Sequence, residues 1–420
     1  MTNFHLIGIG GAGMSGLARI LQAQGHKVTG SDAVSSPVLT RLRQEGFSIK
    51  VGTKLAPQAE SVIYSSAIPP NHPERQAARC LKTFSYPEAL GFITRGKRVV
   101  AVAGTHGKST TTGLLVAGLQ AAQVPFSCLV GTNLAELDGQ NAQVAAADLF
   151  VLEACEYRRG FLNLTPAVLA ITNVEADHLD YFQSCENYVA AFRDLVRRLP
   201  ATGCLVADAK EENLAGLRQL APHYLDARQF KLELKLQLPG EMNRRNARLA
   251  LAVAQVLGVD LKRFQQGLAS FAGGERRLEF KGEWRGAPLF DDYAHHPTEI
   301  AATLAALREK FPQRKLVCVY QQHQLGRVQY FFNRLVESLA AADTVVIPNF
   351  YRVREERAAE SPVRPEVLVA ALQERGTPAF FTAGLARTAE WLKKHLTREA
   401  VAVIAGAGDV FEVTRKVLGS

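Results

Sequence analysis

Short apolar runs alternate with segments of helical periodicity along most of the chain. Residues 99–103 are all small or β-branched and apolar, and the segment from about Lys108 to Ala122 then repeats apolar residues at helical spacing. The first pattern predicts a buried strand and the second a helix packed against it. Further apolar runs that predict strands lie at residues 4–9, 26–31, 149–153 and 168–172. Because strands and helices alternate, the sequence predicts an α/β protein with parallel sheets.

Two breaks in this alternation divide the chain into three predicted domains. The first domain is predicted to end near Arg95, just before the run at 99–103, and a glycine-rich linker follows at 273–277. The predicted domains are residues 1–95, 96–274 and 275–420. In the third, strands are predicted near residues 288–291, 315–320, 343–347, 379–381 and 401–404. Residues 351–365, with four arginines and three glutamates, are predicted to form an exposed loop.

A glycine-containing turn joins the strand at 99–103 to the helix that follows it. The turn and the first helical residues are Gly104, Thr105, His106, Gly107, Lys108, Ser109 and Thr110. Backbone N–H groups at a helix start bind anions, a lysine adds a point charge, and a serine hydroxyl can ligate Mg²⁺. The full phosphate-loop pattern is incomplete, because Val102 stands where its first glycine would be. An ordinary strand-to-helix turn is the alternative, but the Lys-Ser-Thr run favours binding of nucleotide phosphates.

A second glycine-rich loop follows the first predicted strand. It fits the G-x-G-x-x-G pattern, and its candidate binding residues are Gly8, Gly10, Gly11, Gly13, Met14 and Ser15. The next strand leads to Asp32, 19 residues beyond Gly13, where a dinucleotide site places its ribose-binding acid. NAD or FAD would satisfy this pattern, and so would the diphosphate of a UDP-sugar. Ser65 lies in a polar loop at 64–71 that is either a plain connection or the rim of the same nucleotide pocket.

Acidic residues and a histidine follow two predicted strands of the second domain. Glu153 ends the strand at 149–153, and His178 lies in an acidic segment at 173–180. The carboxyl ends of parallel strands are where α/β sheets bind ligands. Oxygen ligands with one imidazole suit Mg²⁺ or Mn²⁺ better than zinc, so the two segments predict a metal site. The alternative is that these side chains are solvated or cap the next helix.

Polar residues also follow the predicted strands of the third domain, at 291–297, 321–327 and 406–409. His295, in the first of these segments, could be a structural histidine, although an Asp-Asp-Tyr-Ala-His-His-Pro run is more polar than packing requires. Asn243 lies at the start of a predicted helix before the linker. It either caps that helix or reads an adenine edge.

Composition limits the classes of protein that fit these motifs. The chain of 420 residues is 47% hydrophobic and 21% charged, as in an ordinary soluble globular protein, and no apolar run reaches the roughly 18 residues of a membrane span. We find no signal-peptide pattern and no C-x-x-C pair among the six cysteines, so we expect a cytoplasmic protein with buried, reduced thiols. The net charge is +9, but the Lys and Arg residues are spread along the chain. This distribution disfavours nucleic acid and suits small anionic substrates.

In their order and spacing, the motifs resemble those of the Mur ligase family, and the resemblance covers essentially the whole chain. The motifs are residues 8–16, 104–110, 172–178, 291–297 and 406–409. The family implies a Rossmann-like N-terminal domain for UDP-N-acetylmuramate, a central P-loop ATPase domain with a parallel sheet, and a Rossmann-like C-terminal domain for an amino acid. The closest resemblance is to members that join L-alanine to the lactyl carboxylate, through an acyl phosphate, in peptidoglycan precursor synthesis. These members use ATP and Mg²⁺, with Mn²⁺ as an alternative ion.

The resemblance also implies roles for individual residues. Lys108 and Ser109 would hold the ATP phosphates and Mg²⁺, and Glu153 and His178 match the family's metal ligands. Further matches are Asn243 and Asn246 near the adenine, Arg276 or Arg277 near the transferred phosphate, and Asp292 and His295 on the ATP and amino-acid side of the cleft. No role for a membrane or for nucleic acid is implied, and the oligomeric state is not predicted.

Recognition of the amino-acid carboxylate is expected from Arg327, with His323 and Tyr293 in support, because a guanidinium binds a carboxylate in a bidentate manner. Gln324 departs from the pattern, since the alanine-adding members often have an arginine there. Met242 likewise replaces a histidine usual in the family. It directly precedes Asn243, one of the two asparagines expected near the adenine.

A third departure affects the metal site. The run after Glu153 differs from the family's usual Glu-x-Asp-Glu-Ser, and this ranks Glu156 below Glu153 as a metal ligand. Three alternatives remain at this point: an NAD- or FAD-dependent oxidoreductase using residues 8–32, a nucleotide-binding regulator without catalysis, and a family member that attaches a whole peptide to the same sugar.

Overall fold

The computed structural model describes residues 1–56, 58–323, 325–351 and 363–419. The predicted α/β class is confirmed, because the chain forms three mainly parallel β-sheets connected by helices. It is divided into two compact units, Met1–Lys235 with Arg245–Phe271 and Leu236–Arg244 with Ala272–Ser420. No helix in the described part of the chain combines the length and apolarity that a membrane crossing requires. Gln324 and most of the loop predicted at 351–365 lie outside the described residues.

The first sheet has five parallel strands in the order β3-β2-β1-β4-β5. Its elements are β1 (Asn3–Ile7), α1 (Ala12–Ala23), β2 (Lys27–Asp32), α2 (Pro37–Gln44), β3 (Ser48–Val51), β4 (Ser61–Tyr64), α3 (Pro73–Ala77), β5 (Lys82–Ser85) and α4 (Tyr86–Ile93). β1 is the central strand, so the glycine-rich loop that follows it lies in the middle of the carboxyl-end edge of the sheet.

The second sheet has seven strands in the order β12-β11-β10-β6-β9-β7-β8, of which only the β7–β8 pair is antiparallel. Its elements are β6 (Arg98–Ala103), α5 (Lys108–Ala121), β7 (Ser127–Leu134), β8 (Gln140–Gln143), β9 (Leu149–Glu153), β10 (Val168–Ile171), α6 (Leu179–Phe182), α7 (Cys185–Val196), β11 (Cys204–Ala207), β12 (His223–Asp226), α8 (Glu241–Leu257) and α9 (Leu261–Ser270). The central strand β6 is buried along 99–103, as a continuous apolar run predicts.

The third sheet has six strands in the order β13-β14-β18-β15-β16-β17. Its elements are β13 (Glu279–Trp284), β14 (Ala287–Asp292), α10 (Pro297–Lys310), β15 (Lys315–Tyr320), α11 (Leu325–Leu339), β16 (Thr344–Ile347), α12 (Pro365–Glu374), β17 (Ala379–Phe381), α13 (Leu385–His395), β18 (Ala400–Ala405) and α14 (Glu412–Leu418). The predicted strands β14 to β18 pair in parallel, and an edge strand that was not predicted, β13, runs antiparallel to β14. A two-residue turn, Arg285 and Gly286, joins them, and both residues have positive φ, which is the geometry of a tight hairpin.

Within the first unit, helix α1 packs on the β7–β8 hairpin. A Cβ on Gly16 would lie 2.3 Å from Leu129, so only glycine allows this close approach. The buried amide of Asn141 donates to the carbonyl of Ala12 and accepts a hydrogen bond from Arg19 at 2.8 Å. The hairpin therefore fixes the start of α1, directly after the glycine-rich loop.

The six cysteines are all free. The expectation of buried thiols is correct for Cys128, Cys204 and Cys318 but wrong for Cys80 and Cys155, which are exposed.

Helices α5 and α9 cross at a distance set by two glycines. A Cβ on Gly267 would lie 2.2 Å from the carbonyl oxygen of Ala117, and one on Gly118 would lie 2.4 Å from the ring of Phe264. The first clash is with backbone, which cannot rotate away. The position of α5, which begins at Lys108, therefore depends on this contact.

We expect Gly267→Ala to lower the free energy of unfolding by about 1–3 kcal/mol, because the added methyl group forces the two helices apart. Urea unfolding monitored by far-UV circular dichroism measures the change. Gly216→Ala is the matched control, since nothing lies within 4 Å of a Cβ at Gly216. Equal stability of the two variants would contradict the prediction.

Candidate active site

The loop between β6 and α5 depends on glycines at two positions. Gly104 has φ +133° and Gly107 has φ +80°. A Cβ on Gly104 would lie 2.0 Å from the hydroxyl oxygen of Thr172, so a larger residue does not fit. The predicted strand, turn and helix are confirmed. The loop ends at the start of α5, and Thr110 lies in the first turn of that helix. Such a helix start has free N–H groups and a positive dipole end, which suit an anion.

Lys108, the first residue of α5, folds back over this loop. Its Nζ donates to the carbonyl oxygens of Gly104 at 2.5 Å and Thr105 at 3.0 Å, and it forms an ion pair with Glu156 at 2.9 Å. Burial alone would lower the pKa of Lys108, but the carboxylate of Glu156 raises it above its usual value. Lys108 is therefore a firmly protonated cation at the loop.

Ser109 and Glu153, two of the predicted metal ligands, are in contact. Ser109 Oγ donates to Glu153 Oε2 at 3.2 Å, and Glu153 Oε1 accepts the N–H of Gly131 at 2.5 Å. The structure thus places a hydroxyl and a carboxylate oxygen side by side next to the phosphate-loop helix, a donor pair that suits a hard divalent cation.

His178, the third predicted ligand, lies beside Glu156. Its Nε2 is 3.7 Å from Glu156 Oε1, and its ring centroid is 4.8 Å from that of Tyr157. Within the described residues, Glu156 is the carboxylate that meets both Lys108 and His178. Glu156 was predicted to be a weaker candidate than Glu153 because the run around Glu156 differs from the family's usual one. The feature of the sequence that indicates Glu156 is its position shortly after a buried strand.

Side chains of the loop are used to hold the loop itself. Thr105 Oγ1 is 3.0 Å from the hydroxyl of Tyr188, and the N–H of His106 donates to Asn173 at 3.0 Å. The ring of His106 is 3.2 Å from a carboxylate oxygen of Glu175. Both loop residues are buried. Their side chains therefore position the loop, and the backbone N–H of His106 is used in the same way.

The two asparagines predicted near an adenine have different contacts. Asn246 lies against the phosphate loop, because a Cβ on Gly107 would be 2.7 Å from its Oδ1. Asn243 donates through Nδ2 to the carbonyl oxygen of Pro239 at 2.7 Å, which is a helix-start role. An adenine contact for either side chain stays a prediction.

The glycine-rich loop after β1 is held by the end of β2. Asp32 Oδ2 accepts the N–H of Gly10 at 2.9 Å, and a Cβ on Gly13 would lie 2.4 Å from the hydroxyl of Tyr86. Ser15 is buried and its Oγ donates to the carbonyl of Ala12, so its hydroxyl stabilises the first turn of α1. The carboxylate of Asp32 therefore shapes the loop. Its contact with a ribose stays a prediction.

A cavity of about 240 Å³ connects this loop with the second sheet. Gly11, Gly13, Met14 and Ser65 line it on one side, and Ala154 and Tyr157, which follow β9, line it on the other. The cavity therefore leads from the glycine-rich loop to the segment that carries Glu153 and Glu156.

In the second unit, Asp292 holds the turn after β14. Its two oxygens accept the N–H groups of Leu278 and Ala294, each at 2.7 Å. Burial raises the pKa of Asp292 to about 6. These bonds give Asp292 a structural role, and its predicted place near ATP stays a prediction.

Arg276 is also bound to backbone. Its guanidinium donates to the carbonyl oxygens of Gly406 at 2.5 Å and Gly408 at 3.2 Å. The guanidinium carbons of Arg276 and Arg277 lie 5.2 Å and 5.0 Å from the ring centre of Tyr293. Arg276 thus joins the motif at 406–409 to the start of the third sheet. A contact between this arginine and the transferred phosphate stays a prediction.

Of the residues predicted to bind the amino acid, His323 and Arg327 interact. Burial lowers the pKa of His323, and the positive charge of Arg327 lowers it further. The ring of His323 stacks on Tyr351 with centroids 5.4 Å apart. His295 is bound differently, since its Nδ1 is 2.9 Å from the carbonyl oxygen of Tyr293 and 3.4 Å from Glu299. Of the groups predicted to bind the amino acid, the guanidinium of Arg327 is the one whose charge suits a carboxylate ligand.

Comparison with known proteins gives matches along the chain. Family models described as Mur ligase family, catalytic domain, as Mur ligase middle domain and as Mur ligase, glutamate ligase domain match residues 3–98, 102–224 and 276–408. The UDP-N-acetylmuramate–L-alanine ligase of Arthrobacter sp. (strain FB24) is 41% identical over 383 residues, which cover 84% of this chain and 82% of that protein.

Solved structures show the same fold along the full length. The UDP-N-acetylmuramate–alanine ligase of Thermotoga maritima superposes with a TM-score of 0.84 at 25% identity, covering 100% of this chain and 99% of that one. A murein peptide ligase from Psychrobacter arcticus gives a TM-score of 0.73 at 23% identity, covering 100% and 98%. The second likeness concerns the fold alone.

Asp291 supplies a test of the second unit. Burial raises its pKa from the usual value near 4 to about 6, and its Oδ1 accepts a hydrogen bond from Thr414. Between these two pH values the folded state binds more protons than the unfolded state, so raising the pH lowers the free energy of unfolding. We expect wild type to lose about 2–3 kcal/mol relative to Asp291→Asn between pH 4 and pH 7. Urea unfolding across this range measures it, and parallel curves would contradict the assignment.

Proposed function

The chain belongs to the Mur ligase family, and on that premise we propose that it joins L-alanine to the lactyl carboxylate of UDP-N-acetylmuramate, with conversion of ATP to ADP and phosphate. The proposed product is a precursor of peptidoglycan. Support comes from the Arthrobacter and Thermotoga proteins, whose names state this pair of substrates. Because both nucleotide substrates are cytoplasmic metabolites, we expect the protein to act in the cytoplasm.

One observation carries the assignment of substrates to sites. The cavity of about 240 Å³ is lined by the glycine-rich loop of the first sheet and by Ala154 and Tyr157. These two residues are next in the chain to Glu153 and Glu156. A UDP-sugar with its diphosphate at Gly11 would extend through this cavity toward Lys108 and Glu156. The lactyl carboxylate and the γ-phosphate of ATP would then meet between the two loops.

Oxygen atoms of the kind that Mg²⁺ prefers support a magnesium site beside the phosphate loop. Ser109 Oγ and Glu153 Oε2 are already adjacent, and Glu156 and His178 form a second pair on the neighbouring segment. We propose that Ser109, Glu153 and His178 hold the ion and that Glu156 takes part through its contacts with Lys108 and His178. When bound, Mg²⁺ neutralises charge on the ATP phosphates.

In the first step, a lactyl carboxylate oxygen forms a bond to the γ-phosphorus of ATP. The bond from that phosphorus to the β–γ bridging oxygen breaks, and the products are an acyl phosphate and ADP. The loop N–H groups and Lys108 hold the phosphates in line and stabilise the negative charge that spreads over them. A carboxylate is a poor electrophile, and this step gives it a good leaving group.

In the second step, the neutral amine of alanine forms a bond to the acyl carbon. The resulting tetrahedral intermediate collapses, the C–O bond to the phosphate breaks, and the proton that the amine nitrogen loses leaves with the phosphate as hydrogen phosphate. Arg327 binds the alanine carboxylate, with His323 and Tyr293 in support, so that the amine is held at a fixed position. Arg276 or Arg277 is proposed to contact the transferred phosphate, and Asp292 and His295 to contact ATP and the amino acid.

Product analysis tests the proposal. With UDP-N-acetylmuramate, Mg-ATP and a panel of amino acids and a tripeptide, mass spectrometry should detect the L-alanine adduct as the main product. Preferred use of the tripeptide would instead assign the peptide-attaching activity named for the Psychrobacter protein. Reduction of NAD or a bound flavin, without ligation, would favour the oxidoreductase alternative.

Lys108→Ala is expected to abolish ligation but to leave UDP-N-acetylmuramate affinity within about tenfold of wild type, because Lys108 belongs to the ATP loop. Calorimetry and product assays measure the two effects. Lys97→Ala is the matched control, since Lys97 lies in the same unit and donates to the carbonyl of Ala147. Loss of sugar-nucleotide affinity in Lys108→Ala would mean that the two loops are assigned wrongly.

Arg327→Ala should raise the KM for alanine by the equivalent of about 2–3 kcal/mol, because a charged hydrogen-bond partner of the substrate carboxylate is lost. The KM for ATP should stay unchanged. Arg334→Ala, which removes an arginine further along the same helix α11, serves as the control. An unchanged alanine KM in Arg327→Ala would place carboxylate recognition elsewhere.

A further inference from the structure

Glu74, on the short helix α3, is a buried carboxylate to which the mechanism above gives no role. The residue is 2% exposed. Its Oε2 accepts a hydrogen bond from Ser31 Oγ at 2.7 Å, and its Oε1 lies 3.3 Å from Nε2 of His5, which is also buried. His72 Nδ1 lies 3.9 Å from Oε2. Burial alone would raise the pKa of Glu74, but the hydrogen bonds from His5 and Ser31 bring it below its usual value.

Ser31 connects this carboxylate to the glycine-rich loop. Its carbonyl oxygen accepts the N–H groups of Gly8 at 2.8 Å and Ile9 at 3.1 Å. The next residue, Asp32, accepts the N–H of Gly10 at 2.9 Å. The end of β2 therefore sets the shape of the loop through three backbone N–H groups, and the side chain of Ser31 is fixed by Glu74.

The same helix holds the second loop that lines the cavity. The Arg75 guanidinium lies 3.8 Å over the ring of Tyr64 and donates to the carbonyl of Ile68 at 2.9 Å. Gln76 donates to the carbonyl of Pro70 at 2.7 Å. These contacts fix the segment that contains Ser65. Helix α3 thus ties both loops of the cavity together, and Glu74 is its buried anchor.

We propose that Glu74 is a positioning residue for the sugar nucleotide: through Ser31 it holds the glycine-rich loop in the conformation that receives the diphosphate. This inference rests on the proposed function, because it requires the sugar nucleotide to bind at this loop. In this role Glu74 acts through Ser31 and does not itself bind the sugar nucleotide. A general structural role would affect both nucleotide substrates, whereas a positioning role affects the sugar nucleotide alone.

The test measures binding of UDP-N-acetylmuramate and of ATP separately by calorimetry, in wild type, Glu74→Gln, Ser31→Ala and the double variant. We expect each single variant to weaken UDP-N-acetylmuramate binding roughly three- to tenfold, the scale of one hydrogen bond, with ATP binding unchanged. The double variant should be no weaker than the worse single variant, because both changes break one linkage. Ser31→Ala removes only a hydroxyl, so it keeps the test valid if Glu74→Gln folds poorly.

Glu60→Gln is the matched control, since Glu60 is a carboxylate of the same domain that accepts the N–H of Asn3 at the amino end of β1. It should leave both affinities unchanged. Folded variants with wild-type affinity for UDP-N-acetylmuramate, or with equal losses for both nucleotides, would overturn the positioning role. A wild-type protein that fails to bind UDP-N-acetylmuramate would instead overturn the proposed function, and this inference with it.

Discussion

The ion pair between Lys108 and Glu156 is the interaction on which the candidate site depends. A lysine at the first position of a helix meets the positive end of the helix dipole, which is unfavourable for a cation. Two loop carbonyls and the buried carboxylate of Glu156 compensate for this. Because Glu156 follows β9 and also lies beside His178, which follows β10, the pair joins the phosphate loop after β6 to segments that follow the strands on either side of β6. Removal of either charge would leave the other buried without its partner, which is strongly destabilising.

In all three sheets, a carboxylate at the end of a strand accepts a backbone N–H group. Asp32 accepts the N–H of Gly10, Glu153 that of Gly131, and Asp292 those of two residues near the start and end of the β13–β14 hairpin. A loop that follows a parallel strand has backbone N–H groups without sheet partners, and an acid at the strand end satisfies them. The same position is also where ligands bind, so structural and ligand-binding acids occupy equivalent places in the sequence.

The parts of the fold that the sequence predicted are those with the strongest burial pattern. Strand β6 and the helix after it were predicted because a parallel strand covered on both faces needs a continuous apolar run. The antiparallel β13 (Glu279–Trp284) was missed because a charged residue stands at every second position of this short edge strand and Phe280 is exposed, so no continuous apolar run marks it. The phosphate loop was predicted from local spacing alone. The bond from Arg276 to Gly406 was not, since it joins residues distant in sequence and no local pattern encodes it.

The acids near strand ends differ in the groups that they contact, although their positions relative to the strands are similar. Asp292 uses both oxygens on backbone N–H groups, so its charge serves the turn. The partners of Glu156 are the side chains of Lys108 and His178. Its charge therefore faces groups that a bound phosphate or metal would also contact. Glu153 is intermediate, with one oxygen on a backbone N–H and the other on the Ser109 hydroxyl. An acid whose partners are side chains can exchange them for a ligand without unfolding a turn, and by this criterion Glu156 is a better candidate than Asp292 for contact with nucleotide or metal, with Glu153 between the two.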